Sequence, residues 1–132
     1  MSAEESRRIA LEWIKCRTED RFDDLLAMGA PDATGWVSGL KETSPLTGTY
    51  PYAERVKQMK EFFKDEKSST FSIRGITTEG DTVVIEGSPR FELEDGRVYE
   101  NDVMLKFVIR DGKIQSFREY LDFSAVLKFM RA

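Results

Sequence analysis

Histidine is missing from this chain altogether, and cysteine occurs once, as Cys16. The first absence excludes Ser-His-Asp and Cys-His nucleophile machinery, and with it any histidine-ligated metal. The second excludes an intrachain disulfide and a cysteine-cluster zinc site. Acid–base chemistry is therefore left to carboxylates, Tyr, Lys and Cys16. No apolar run approaches the roughly 20 residues that span a bilayer. The opening Met1-Ser-Ala-Glu-Glu5 has neither the basic start nor the apolar stretch of a secretory signal, so a cytoplasmic address is the default expectation. Charge of one sign is not concentrated either. Twenty Lys+Arg are interspersed with 24 Asp+Glu for a net charge of −4, which implies no nucleic-acid partner and no membrane partner.

What is present suits one soluble domain over residues 1–132. The chain is 40% hydrophobic and 33% charged, and at this length about two-thirds of its surface is buried on folding. Ser2 with Glu5 forms a capping-box pattern ahead of an apolar stripe through Ile9, Trp13 and Cys16. A second short helix carries Phe22, Leu25 and Leu26 and stops at Gly29. Residues 32–39 read as a short strand with Trp36 and Val37, and 40–49 as a turn-rich loop. Pro51 suits the first turn of a third helix with Tyr52, Val56, Met59 and Phe63 on one face. From Ser68 the period becomes two. Turn signals at Glu79-Gly80-Asp81, Asp95-Gly96 and Asp111-Gly112 predict a four-stranded antiparallel meander over 69–78, 82–94, 97–110 and 113–122. Phe123, Val126, Leu127 and Met130 predict a short C-terminal helix. The fold class is α+β, with helices on one face of a curved antiparallel sheet.

A two-residue turn at Asp111-Gly112 fixes an expected register. Arg110 pairs with Lys113, Leu105 meets Arg118, Val103 meets Tyr120, and Asn101 falls opposite Asp122 on one shared face. An amide facing a carboxylate on a largely apolar face is what a pocket floor looks like. The same register sends Glu119 to the opposite face, toward solvent or a dimer contact. A bulge at Gly87-Ser88-Pro89 is expected to shift the phase of the preceding strand, which leaves Arg90 unassigned.

Several stretches resemble one family. Trp36-Val-Ser-Gly39, Thr47-Gly-Thr-Tyr50 and Ala53-Glu-Arg-Val56 match the first half of SnoaL-like proteins. Val98-Tyr-Glu-Asn101, Phe107, Asp111-Gly-Lys-Ile114 and Arg118-Glu-Tyr-Leu-Asp122 extend the match. Together they resemble the SnoaL-like, ketosteroid-isomerase-like family of the nuclear-transport-factor-two-like superfamily. The resemblance implies a cone: a curved sheet wrapped round a long helix, three helices in the first half, a short one at the C-terminus, and an apolar cavity inside. It is weakly specific for activity, because the fold hosts isomerases, cyclases, epoxide hydrolases and non-catalytic binders. By the resemblance, Asp122 occupies the place of a pocket carboxylate at the end of the last strand. The Arg-x-Asp of limonene epoxide hydrolase is absent, since the best-matching stretch reads Gly87-Ser88-Pro89, and epoxide hydrolysis by that mechanism is disfavoured.

The candidate catalytic residues are then Asp122, Asn101 and Tyr120, and the candidate ligand wall is Trp36, Tyr50, Met59, Phe63, Tyr99, Val103 and Arg118. Each has a plainer reading. Asp122 directly precedes a helix, where Asp is a preferred N-cap. Asn101 fits a hydrogen-bonded buried amide, Trp13 and Trp36 fit a core, and Cys16 fits an inert buried thiol. Glu92, Glu94 and Asp95 at a hairpin tip form a solvated turn and not a metal site. The expected function is a cofactor-free isomerisation or cyclisation of a hydrophobic oxygenated molecule, such as a polyketide, terpenoid or steroid-like compound. The alternatives are a non-catalytic binding module and a structural dimer. Asp122, desolvated beside Asn101, is expected to have a raised pKa, with Arg118 satisfied elsewhere. A homodimer is expected through the outer sheet face, where Met104, Val108, Phe117 and Leu121 sit among Glu100, Asp102, Lys106 and Glu119.

Overall fold

The computed structural model describes residues 2–132. Helix α1 (Ala3–Thr18) starts where the Ser2 side chain accepts a hydrogen bond from the Glu5 amide, with Glu4 and Glu5 in its first turn and Lys15 and Arg17 in its last. Both biases oppose the helix dipole. Helices α2 (Phe22–Ala27), α3 (Tyr52–Phe62) and α4 (Phe123–Met130) complete the predicted set of four. The strands are β1 (Gly29–Val37), β2 (Gly48–Pro51), β3 (Glu66–Glu79), β4 (Thr82–Leu93), β5 (Val98–Glu100), β6 (Val103–Arg110) and β7 (Lys113–Leu121). They form one curved, unclosed sheet in the order β2-β1-β7-β6-β4-β3, with β5 beside β4. Every pairing is antiparallel except β1 with β7, which run parallel.

Three local features differ from the sequence expectations. The single strand expected over 97–110 is broken at Asn101 and Asp102, so that β5 and β6 pair with successive parts of β4. Strand β4 has no phase shift at Gly87-Ser88-Pro89. Its alternation runs unbroken through Val83, Ile85, Phe91 and Leu93, all buried, and the irregularity falls across from it, between Ile73 and Gly75 of β3.

The third feature has the widest effect. The Asp111-Gly112 turn forms as expected, with Asp111 at φ 52 and Gly112 at φ 77, and Arg110 pairs with Lys113 and Ile109 with Ile114. Val108 then pairs with Ser116, so Gln115 is an extra residue in β7. This bulge moves the register by one, and a one-residue slip turns every later side chain to the other face. Phe117, Glu119 and Leu121 therefore face inward, while Arg118 and Tyr120 face outward. Leu105 lies opposite Glu119, not Arg118.

The core has two parts. The larger packs Ile9, Ala10, Trp13 and Ile14 of α1 onto Ile85, Leu105, Phe107, Ile109, Ile114 and Phe117 of the sheet. Trp13 stacks on Phe117 with ring centres 4.7 Å apart. The smaller part gathers Phe91, Leu93 and Tyr99 under Val126 and Phe129 of α4. Tyr52 ties the helices together: its hydroxyl donates to the Leu25 carbonyl at 2.7 Å and accepts from the Trp13 indole at 3.1 Å. Its ring lies so close to Gly29 that a Cβ there would sit 2.3 Å from it, which requires glycine at that position. Tyr52→Phe leaves the buried Trp13 N–H without its acceptor and is expected to cost ~1–3 kcal/mol, measured by urea denaturation.

Candidate functional site

The seam between the two core clusters is a cavity of about 100 Å³. Its wall includes Trp13, Leu105 and Phe117, Phe91 and Tyr99, and Met59 and Phe62 of α3 with Phe63 at the helix end. Phe123 and Val126 bring α4 over it. The helical spacing of Met59 and Phe62 puts both on the sheet-facing side of α3, and Phe63 follows as its C-cap. The ionisable groups in this apolar wall are Arg17, Arg55, Tyr99 and Glu119.

The two guanidinium groups are already engaged. Arg17, 3% exposed, pairs through both terminal nitrogens with Glu66, at 2.6 and 3.4 Å, and its guanidinium lies 4.0 Å over the Phe91 ring. This strut joins the last turn of α1 to the start of β3. Arg55, 5% exposed, donates to the carbonyls of Gly35, Leu46 and Gly48 and to the Gln58 side chain. It thereby pins the loop between β1 and β2 to α3. Burial lowers its pKa, though a guanidinium keeps its proton throughout the working range.

Glu119 is the contrasting group. Its carboxylate forms no hydrogen bond or ion pair of its own among the described residues. It is half-buried, and the surface it keeps belongs to the cavity wall. Desolvation pushes its pKa from the ordinary 4.5 up to about 7, with the positive charges of Arg55 and Arg17 opposing that rise. Tyr99, 3% exposed, has its phenol pKa raised by burial first and by the Glu119 charge second.

Several sequence candidates lie elsewhere. The Asp122 carboxylate caps α4, accepting from the Ser124 amide at 2.9 Å and from the Ser124 hydroxyl. Those bonds hold its pKa below the ordinary carboxylate value, the reverse of the expected rise. The helix start fixes that orientation and keeps Asp122 out of the cavity wall. Asn101 does lie beside Asp122, but it bonds to its backbone and not to its carboxylate. The Gln115 bulge sends Tyr120 and Arg118 to the outer sheet face, where they meet Trp36 of β1: Arg118 stacks 3.8 Å over Trp36 and donates to the Tyr120 hydroxyl at 3.1 Å. Val103 belongs to the larger core cluster. Tyr50 lies beneath the Arg55 guanidinium on β2 and donates to the Pro45 carbonyl. Met59, Phe63 and Tyr99 do line the cavity. Glu119, Arg55 and Arg17 were missed as cavity residues. A signal for Glu119 was present: Ile114 and Phe117, three apart, cannot both face the core in strict alternation, so a bulge between them was required.

The SnoaL-like domain model matches residues 10–117, and the chain belongs to that family. No curated protein is similar to it in sequence. Among solved structures, an NTF2-like protein of unknown function from Burkholderia pseudomallei K96243 superposes with a TM-score of 0.81 at 16% identity, over 100% of both chains. TerC co-crystallised with polyporic acid gives 0.80 at 17%, covering 97% of this chain and 99% of that one. An LEH-like epoxide hydrolase from M. tuberculosis gives 0.76 at 17%, covering 98% and 95%. These likenesses establish the NTF2-like fold.

The Glu119 pKa has a consequence for stability. The folded state holds the proton up to about pH 7, whereas the unfolded chain releases it near 4.5. The contribution is complete below 4.5 and is lost as pH rises to about 7. Denaturant titrations across this window are expected to show wild type losing up to ~3 kcal/mol more than Glu119→Gln. Parallel pH curves for the two proteins would refute the assignment.

Proposed function

We propose that the chain is an acid–base enzyme that moves a proton next to a carbonyl in a small hydrophobic substrate. The observation that carries this reading is Glu119: an unpaired carboxyl, titrating at about 7, inside an apolar cavity that also holds a buried phenol. A base poised near the working pH combines adequate basicity with a large ionised fraction. Glu119 removes the proton α to the carbonyl, and the Tyr99 hydroxyl donates to the oxygen as it becomes an enolate. Glu119 then returns the proton at another carbon, which is isomerisation. Attack of the enolate on a second carbonyl in the same substrate gives an aldol cyclisation instead. Neither route needs a cofactor. Epoxide hydrolysis with a second carboxylate from β4 is not supported, because the buried inward positions Val83, Ile85, Gly87, Pro89, Phe91 and Leu93 of that strand carry no ionisable group.

Size narrows the substrate. Pockets for drug-sized ligands run to roughly 300–1,000 Å³, and a void of ~150 Å³ admits benzene. At about 100 Å³ this cavity falls below both figures, so a short-chain carbonyl compound fits it as it stands, a one-ring compound enters only if the wall gives, and a polyketide or steroid frame is too large.

The direct test follows conversion of 3-cyclohexenone to 2-cyclohexenone by ultraviolet absorbance. The value of kcat/KM is expected to rise with pH to a plateau, with its midpoint near 7, since the base must be ionised. Glu119→Gln is expected to lower it by about 10² or more, whereas Asp122→Ala lowers the melting temperature and leaves turnover intact. If wild type binds the enone without converting it, the non-catalytic binding reading replaces this one.

We also propose a homodimer through the outer sheet face. Met104 and Tyr120 are 46% and 43% exposed beside Trp36, with Lys106 and Glu86 on the neighbouring strands positioned to cross-pair about a two-fold axis. Sedimentation at tens of micromolar is expected to give the dimer mass, and Tyr120→Asp to shift it to monomer.

A further inference from the structure

Asn101 is 7% exposed and stands where β5 breaks off. Its Oδ1 accepts from two backbone amides, Asp102 at 2.8 Å and Asp122 at 3.1 Å. Two N–H donors cannot face an NH₂ group, so these contacts decide which end of the amide is oxygen. The NH₂ end then donates to the Asp122 carbonyl at 3.0 Å and to Tyr99 Oη at 2.7 Å. All four hydrogen-bonding positions of the side chain are filled, and none is left for a ligand. Tyr99 Oη is an acceptor in its bond with Asn101. Its own proton has no acceptor among the described residues, although the ring is 3% exposed and lines the cavity. A buried donor without a partner is costly, so an occupant that offers an acceptor gains from it.

We propose that Asn101 is a positioning residue: by donating to Tyr99 Oη, it turns the phenol proton toward the cavity, where it meets the carbonyl oxygen of a neutral ligand. The inference rests on the carbonyl-site reading above and adds to it a polarity that Tyr99 alone does not have. A free phenol swivels and serves as donor or acceptor; one already accepting from Asn101 is held as a donor. A neutral carbonyl is favoured over a carboxylate because Glu119 shares the cavity, while Arg17 and Arg55 are bound to Glu66 and to backbone carbonyls.

Acetophenone and ethylbenzene serve as a probe pair of one size, with and without an acceptor. Wild type is expected to prefer acetophenone by about five- to tenfold, the worth of one hydrogen bond, and to lower the infrared carbonyl frequency of bound acetophenone. Tyr99→Phe removes both effects. In Asn101→Asp the carboxylate accepts the Tyr99 proton, and both effects are expected to vanish while ethylbenzene still binds. A carbonyl shift that survives in Asn101→Asp but disappears in Tyr99→Phe overturns the role of Asn101 and leaves the carbonyl site standing. Failure of acetophenone to bind wild type removes the carbonyl site itself. Should Asn101→Asp not fold, 3-fluorotyrosine at position 99 of the otherwise unchanged chain decides the polarity. A more acidic donor lowers the carbonyl frequency further, and an unchanged frequency overturns the proposal.

Discussion

Gln115 is one residue more than the ladder between β6 and β7 accommodates, and the character of the cavity follows from where that surplus is placed. With the bulge, Ile114 and Phe117 both reach the core, and Trp13 gains the ring on which it stacks. Alternation from Phe117 then carries Glu119 inward as well. Burying two large apolar side chains is worth several kcal/mol, which sets the scale against the desolvation of one carboxyl. The carboxyl meets part of that cost by keeping its proton to a higher pH.

The remaining charges in the cavity wall are arranged so that none cancels Glu119 at contact distance. Arg17 is matched by Glu66 at the start of β3, and Arg55 is absorbed by the carbonyls of Leu46 and Gly48. A buried charge stripped of its partner is strongly destabilising, so both arginines have structural reasons to stay where they are. Their fields still reach Glu119 and moderate its pKa from a distance. The result is a carboxyl near neutrality, where a contact ion pair would have made it permanently ionised.

The outer face of the same strands follows the same alternation. Arg118 and Tyr120, sent outward by the bulge, join Trp36 from the parallel strand β1 in an aromatic–guanidinium stack. One extra residue therefore decides both the chemistry inside the sheet and the surface it presents outside. Asn101 works at the opposite end of the pair, where its four hydrogen bonds hold the break between β5 and β6 against the end of β7.

Local chemistry made much of the fold legible. The Ser2 cap, the Asp111-Gly112 turn, the apolar stripes of α1 and α3 and the Asp122 start of α4 each depend on residues within a few positions of one another. Motifs spread along the chain were enough for the family. What the sequence could not decide alone was which residues share a face once strands pair. The Gln115 bulge, the parallel β1–β7 contact and the break at Asn101 are each selected by how well distant side chains fill one core. A pKa depends on the surroundings of a group, and the sequence pointed to Asp122 as the pocket carboxylate while sending Glu119, three residues earlier on the same segment, to the opposite face. Tertiary packing alone put one in a dry cavity and the other at an exposed helix start.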